Sequence, residues 1–315
     1  MKLQNFEVKN QEIKEAFDEL RESHPERLER RLNLSWSIWM FGTEPLEVTA
    51  QRLARAGVRF IELTGNHYGD DLGYDPHEVL AVLEENSLQV SGISGMFTPD
   101  NDLSSPRAVH RQAALDYLRR ETAFAERVGA HYIIVPPGGV GRPTAYDDME
   151  VTRSAATLRI AAPWFAEHHV RAAVEPIRTA ETSLVHTVAD AKAYLAEVNH
   201  PAIVHINGDT YHMQTEEAHV GRAILGAGEM LANLHIADSN RMALGEGSLD
   251  LDTVIRALYL IGHNKPDRFV SPEPLGPVVD PYVALQSRPD GELADQMVAD
   301  TVRYFRQREE VLLAS

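Results

Sequence analysis

Eight short apolar runs, each followed by a longer stretch of helical spacing, constrain this chain more than any other feature. The runs are Leu34–Phe41, Arg59–Thr64, Val90–Phe97, His131–Pro136, Arg171–Val174, Ala202–Asn207, Met230–Ile236 and Arg268–Ser271. The intervening spacing predicts helices over 45–57, 75–86, 106–128, 152–168, 188–198, 216–225 and 251–261, and a last one over 290–312. Pro45 and Gly57 punctuate the first of these in the expected order, proline in the first turn and glycine past the end. Strands alternating with helices predict parallel pairing through βαβ units. Eight such units in about 280 residues predict a closed (β/α)8 TIM barrel, an α/β fold. A doubly wound open sheet is the alternative, but no GxGxxG follows the first run.

Residues 1–31 are rich in Glu, Arg and Lys, with Leu3, Phe6, Ile13, Phe17 and Leu20 at roughly helical spacing. They predict a helical N-terminal extension packed on the outside of a catalytic barrel domain, residues 32–315. No Pro-, Gly- or Ser-rich linker divides that domain, and the Pro-rich stretch 272–281 reads as the loop after the eighth run.

Charge narrows the partners. Thirty basic against 47 acidic residues give a net charge of −17, which argues against nucleic acid or an anionic membrane as the main partner. The chain has no cysteine, so a disulfide framework, a thiolate nucleophile and Cys-ligated zinc are excluded. No apolar run reaches the roughly 18 residues that a membrane span needs. Lys2 to Arg31 is polar, with no apolar signal core, so the expected location is cytoplasmic.

In this fold, chemistry sits where strands end at the C-terminal face. Four consecutive runs end in metal-ligand residue types. The fifth ends AVEP, with Glu175 at the tip. The sixth leads into NGDTYHM, with Asp209 and, three residues on, His212. The seventh carries His235, and the eighth ends VSPEP, with Glu273. Three carboxylates and an imidazole suit Mn²⁺, Co²⁺ or Mg²⁺, with positions left open for substrate oxygens. A structural zinc would instead be closed by thiolates and imidazoles. Taken singly, each residue also has a bland reading, a surface carboxylate or a core histidine.

These blocks carry a family resemblance. VEPIRTAE at 174–181, GDTYHM at 208–213, LHIADSNRMALGEG at 234–247 and Glu273-Pro274 resemble the sugar isomerase/epimerase superfamily of xylose-isomerase-like barrels. Within it they are most similar to the D-tagatose and D-psicose (allulose) 3-epimerases. The resemblance runs from residue 34 to about 307 and leaves out residues 1–31. It implies that Glu175, Asp209, His235 and Glu273 hold a divalent metal, Mn²⁺ foremost and Co²⁺ or Mg²⁺ as alternatives. It implies that Glu175 and Glu273 are also the catalytic acid/base pair, and that Glu181, His212 and Arg241 contact substrate oxygens. A sugar or cyclitol substrate and a homo-oligomer follow from the same resemblance.

The chemistry explains these residue types. Epimerising a carbon beside a carbonyl removes a weakly acidic proton and returns one to the opposite face. A divalent cation stabilises the developing enediolate charge, and two carboxylates exchange the roles of base and acid, each worth roughly 10²–10⁴-fold. An inosose isomerase or an aldose–ketose isomerase on the same barrel would use similar logic. An endonuclease IV-like phosphodiesterase would need extra histidines, yet the third run ends Gly95-Met96-Phe97 and 240–247 holds no histidine.

Four features depart from the pattern or stay open. Pro272 precedes Glu273. The glycine-rich PPGGVGRP at 136–143 reads as a tight loop, with a phosphate cradle using Arg142 as the alternative. His67 in GNHYGDDLGY either reaches the site or caps a loop. Trp36, Trp39, Phe41, Met96 and Phe97 either cradle a sugar face or fill the core.

Overall fold

The computed structural model describes residues 5–65, 73–277 and 280–314. Seven strands form one sheet in chain order, every neighbouring pair parallel. They are β1 Phe60–Thr64, β2 Gln89–Ser94, β3 Tyr132–Val135, β4 Arg171–Val174, β5 His205–Asp209, β6 Leu231–Ile236 and β7 Phe269–Pro272. Helices flank the sheet: α1 Phe6–Ser23, α2 Leu46–Arg55, α3 Pro76–Glu85, α4 Ala108–Val128, α5 Glu150–Glu167 and α6 Val188–Val198. They continue as α7 Thr210–Glu216, α8 Val220–Ala227, α9 Leu251–Leu260, α10 Pro281–Gln286 and α11 Gly291–Ala314. No helix among the described residues is long and apolar enough to cross a membrane.

The first predicted strand needs correction. Leu34–Phe41 is not a regular strand, although residues 33–37 do fill the gap between β7 and β1. The Ser35 and Ser37 amides donate to the Val270 and Pro272 carbonyls (2.8 and 3.0 Å), and the Glu62 amide donates to the Trp36 carbonyl (2.8 Å). Val270 donates in return to Asn33 (2.9 Å). The next rung would need an N–H at position 272, and proline has none. The ladder breaks there, only the isolated bridges Leu34–Val270 and Ser37–Glu62 remain, and Ile38–Phe41 coils into a 3₁₀ turn.

Two smaller shifts have local causes. The sixth run forms its strand later than predicted, over His205–Asp209, because Asp209 both ends β5 and caps α7, its carboxylate accepting from the Tyr211 amide. The helix predicted near Glu216–Leu225 is two helices, because His219 caps the Arg222 amide and starts α8 afresh. Elsewhere the punctuation is as read. Asp75 caps α3 with Pro76 in its first turn, and Gly129 ends α4 in the left-handed conformation, φ 74°.

The barrel interior is layered. At the end where the strands begin, Phe60 and Phe269 meet edge-on at 5.1 Å, with Tyr132 beside them. Above this plug lie buried Ser35, Glu62, Ser91, Asn207, Asn233 and Ser271. Gly92 of β2 is needed here, because a Cβ would come within 2.2 Å of the Tyr132 ring. Outside the barrel, α1 buries Ile13, Phe17 and Leu20. Phe17 packs edge-on to Tyr259 of α9 at 6.1 Å, while Phe6 stays exposed. Leu3 and His67 lie outside the described residues.

Candidate active site

All seven residues singled out from the sequence lie at one end of the barrel, where the strands end. Glu175 follows β4, Asp209 ends β5, His235 lies near the end of β6 and Glu273 follows β7. Each of these four is at most 7% exposed. His235 Nδ1 lies 3.6 Å from Glu175 Oε1 and 3.5 Å from Glu273 Oε1. The neighbouring staves supply the supports: Asn207 donates to Glu175 Oε1 (2.9 Å), and Ser37 to Glu273 Oε1 (3.3 Å).

Asp209 divides its oxygens. Oδ1 accepts from the Tyr211 amide at 2.7 Å. Oδ2 is buried and accepts no hydrogen bond among the described residues, although His212 Nε2 is 3.3 Å and Arg241 Nη2 3.8 Å away. Arg241 also donates to Glu273 Oε2 at 3.2 Å. The loop after β6 places it. Asp238 accepts from the Ser239, Gly245 and Leu249 amides (2.8, 2.8 and 2.9 Å), and a Cβ at Gly247 would lie 2.2 Å from Asp238 Oδ1. Arg241 itself takes a positive φ of 56°, a conformation costly for a non-glycine residue and typical of functional sites.

Glu181 sits at the rim, its Oε1 2.5 Å from Arg178 Nε. The Arg178 and Arg241 guanidiniums both lie over the Tyr211 ring, at 4.6 and 4.3 Å from its centre. Glu175, Glu181, His212, Arg241 and Glu273 line one narrow recess of about 50 Å³ with Trp39 and Tyr282 on its wall. Of the apolar residues left open by the sequence, Trp39 therefore faces the recess. All five pack in the buried core, and Trp36, Phe41, Met96 and Phe97 do so without lining the recess.

Electrostatics set this mouth apart. Burial pushes Glu273 up to about 7, with Asp209 and Glu175 adding to the rise and His235 and Arg241 opposing it. Burial would lower the His235 imidazole, but Glu273, Glu62 and Glu175 outweigh it and hold the group well above the ordinary histidine value. Asp209 is held below the usual carboxylate range, because His212, Arg241 and His235 outweigh its burial. A buried set of carboxylates with an oxygen that accepts no hydrogen bond is a donor set that a divalent cation fits. The groups able to hold one fall into two adjoining triads, Glu62–His235–Glu273 and Glu175–Asp209–His212. The ligand set expected from the sequence takes two residues from each.

Glu62 was not singled out by the sequence analysis. Its carboxylate is fully buried on β1, 2.7 Å from His235 Nε2. The available signal was an acidic residue in the apolar run FIELT, where every neighbour reads as core. Arg142 takes the tight-loop role. Asp102 (3.1 Å) and Glu150 (2.6 Å) hold its guanidinium, Ser104 and Ser183 accept from it, and it stacks on Tyr146 at 3.8 Å.

With this geometry, the chain belongs to the xylose isomerase-like TIM barrel family, whose pattern matches residues 50–274. Its relatives include the ketose 3-epimerase of Arthrobacter globiformis, 29% identical over 238 residues, 73% of this chain and 79% of that protein. Another is the L-ribulose 3-epimerase of Methylomonas sp. (strain DH-1), 28% identical over 223 residues, 69% of this chain and 75% of that one. A solved L-ribulose 3-epimerase superposes with a TM-score of 0.79 at 23% identity, covering 90% of this chain and 96% of that one, which speaks to the fold. These relatives are isomerases, and isomerase is the enzyme class the likeness supports for this chain.

Proposed function

We propose that the chain epimerises C3 of a ketose through an enediolate, with Glu175 and Glu273 as the acid/base pair. One observation carries this reading: Glu175, Asp209, His235 and Glu273 converge from four consecutive staves into one buried mouth, where Asp209 Oδ2 accepts no hydrogen bond. The named activities of the relatives support the same chemistry.

Glu175, Asp209, His235 and Glu273 are the residues that would hold a divalent cation, Mn²⁺ foremost. Bound there, the cation supplies Lewis-acid stabilisation of the charge that develops on the sugar oxygens. The chain supplies the rest. One glutamate takes the C3 proton, and the other returns a proton to the opposite face. Asn207 and Ser37 fix the two carboxylates. Glu181, His212 and Arg241 hold substrate oxygens. Trp39 and Tyr282, edge-on at 5.7 Å, present an aromatic wall to the sugar's C–H face.

The test is proton exchange followed by NMR. The protein is loaded with Mn²⁺, freed of excess metal, and incubated in D₂O with free ketoses, aldoses and inososes. Deuterium at C3 of a ketose, together with its C3 epimer, is the expected result. Exchange at C1 or C2 would replace this reading with aldose–ketose isomerisation, and exchange on an inosose alone with cyclitol isomerisation.

A further inference from the structure

One carboxylate in the barrel has no part in the chemistry above. Glu62 is fully buried in the middle of β1. The β1–β2 register shifts at this point, passing over Ser91, so that Glu62 pairs with Gly92. An isolated charge at such a depth is costly, and it persists where partners satisfy it. Glu62 Oε1 meets His235 Nε2 at 2.7 Å. Its Oε2 accepts from the Tyr132 hydroxyl at 2.6 Å and from Asn233 Nδ2 at 3.3 Å.

The imidazole is thereby held from below. A carboxylate only accepts hydrogen bonds, so the ring nitrogen facing Glu62 is the one that would keep its proton when the other is given up to a metal. Nδ1 is then the nitrogen presented to Glu175 and Glu273. A carboxylate on the far nitrogen of a ligand histidine fixes both tautomer and ring plane. The support also spreads sideways. Asn233 donates to Asn207 Oδ1 (2.9 Å), Asn207 donates to Glu175 Oε1 (2.9 Å), and Ser271 donates to Asn233 Oδ1 (2.8 Å). One buried layer thus sets a residue on β6 and the glutamate after β4 together.

Resting on the metal-site reading above, we propose that Glu62 is a positioning residue: it locks His235 with Nδ1 turned to the ligand glutamates and, through Asn233 and Asn207, fixes Glu175. A role as a ligand itself fits less well, because Glu62 meets His235 at Nε2, on the other side of the ring from the Nδ1 that Glu175 and Glu273 face.

The experiment measures Mn²⁺ affinity by calorimetry on the full chain, alongside the imidazole N–H signals of the Mg²⁺-loaded, diamagnetic protein. Wild type is expected to show a downfield, exchange-protected Nε2–H from His235. Glu62→Ala should lose that signal and weaken Mn²⁺ binding roughly 10–100-fold, the range typical of such supports. Glu62→Gln keeps an acceptor for Nε2 and should fall between the two. Should Glu62→Ala fail to fold, Tyr132→Phe removes one donor to Glu62 and should weaken Mn²⁺ binding several-fold. Variants that melt lower yet keep wild-type Mn²⁺ affinity and the protected signal would overturn the proposal and leave Glu62 a purely structural residue. Wild type that binds neither ion would instead overturn the metal-site reading, so the two failures are distinct.

Discussion

The two ends of this barrel treat buried charge in opposite ways. Where the strands begin, charges cancel or disappear. Arg171 and Arg268 both pair with Asp267. His205 and His263 are driven down to about 4, chiefly by burial, and so stay neutral. Where the strands end, Glu175, Asp209 and Glu273 crowd around two imidazoles and one guanidinium, and Glu273 is driven up to about 7. A fold that only needed stability would resolve both ends alike. The mouth is left unresolved, and perturbed groups in a recess are the pattern that binding and catalytic sites show.

The largest effect should come from the mouth. Glu175→Gln removes one negative charge from the crowded set and should cut kcat by about 10²–10⁴-fold. The metal-free variant should melt no lower than metal-free wild type, since like-charge repulsion is relieved. Scanning calorimetry in chelator and turnover of the Mn²⁺-loaded protein read the two halves. A fully active variant would remove Glu175 from the acid/base pair, and one that melts several degrees lower would make the mouth a stability element like the other end.

Next comes acid sensitivity at the opposite end. His263 is buried, and its Nε2–H donates to the Phe269 carbonyl at 2.8 Å. Its folded value, about 4, lies below the ordinary histidine value of 6.5. The unfolded chain therefore takes up the proton first, and stability present above about pH 6.5 is lost as pH falls toward 4. Linkage gives a loss of about 2 kcal/mol by pH 5 from this residue. Urea unfolding at pH 7 and pH 5 should show that extra loss in wild type and not in His263→Gln. Equal losses in both would show that the histidine does not govern acid stability.

The smallest effect should come from Asp267→Asn. Asp267 is about a third exposed, so its pairs with Arg171 and Arg268 are screened and should contribute about 1 kcal/mol or less. The variant should unfold slightly earlier and turn over at the wild-type rate per folded molecule. A changed kcat would mean that the two ends are coupled through the layered interior.

Much of this architecture was legible in the chain itself, for physical reasons that act locally. Helix and strand periods are properties of a few neighbouring side chains, as are a proline in a first turn and an Asp at a cap. That is why α3, α6 and α9 fall within a residue or so of their predicted bounds. The strand-end acids were legible because polar residues interrupting an apolar run need an outlet, and a barrel has one at its C-terminal face. Leu34–Phe41 departs from a regular strand because its ladder depends on Pro272, 235 positions beyond Ser37, and not on its own apolar pattern: with no N–H to return, Pro272 stops the pairing. Glu62 was passed over because nothing near it in sequence reveals a partner. Only barrel closure brings it to His235, 173 residues on. By itself, then, the sequence determined the order of elements, the residue types at the strand ends and the caps, all written over a few residues. The tertiary structure alone decided which stave closes the barrel, which nitrogen of His235 faces the glutamates, and that one mouth stays charged while the other end is neutralised. Those outcomes depend on distances between residues far apart in the chain, and local periodicity carries no information about them.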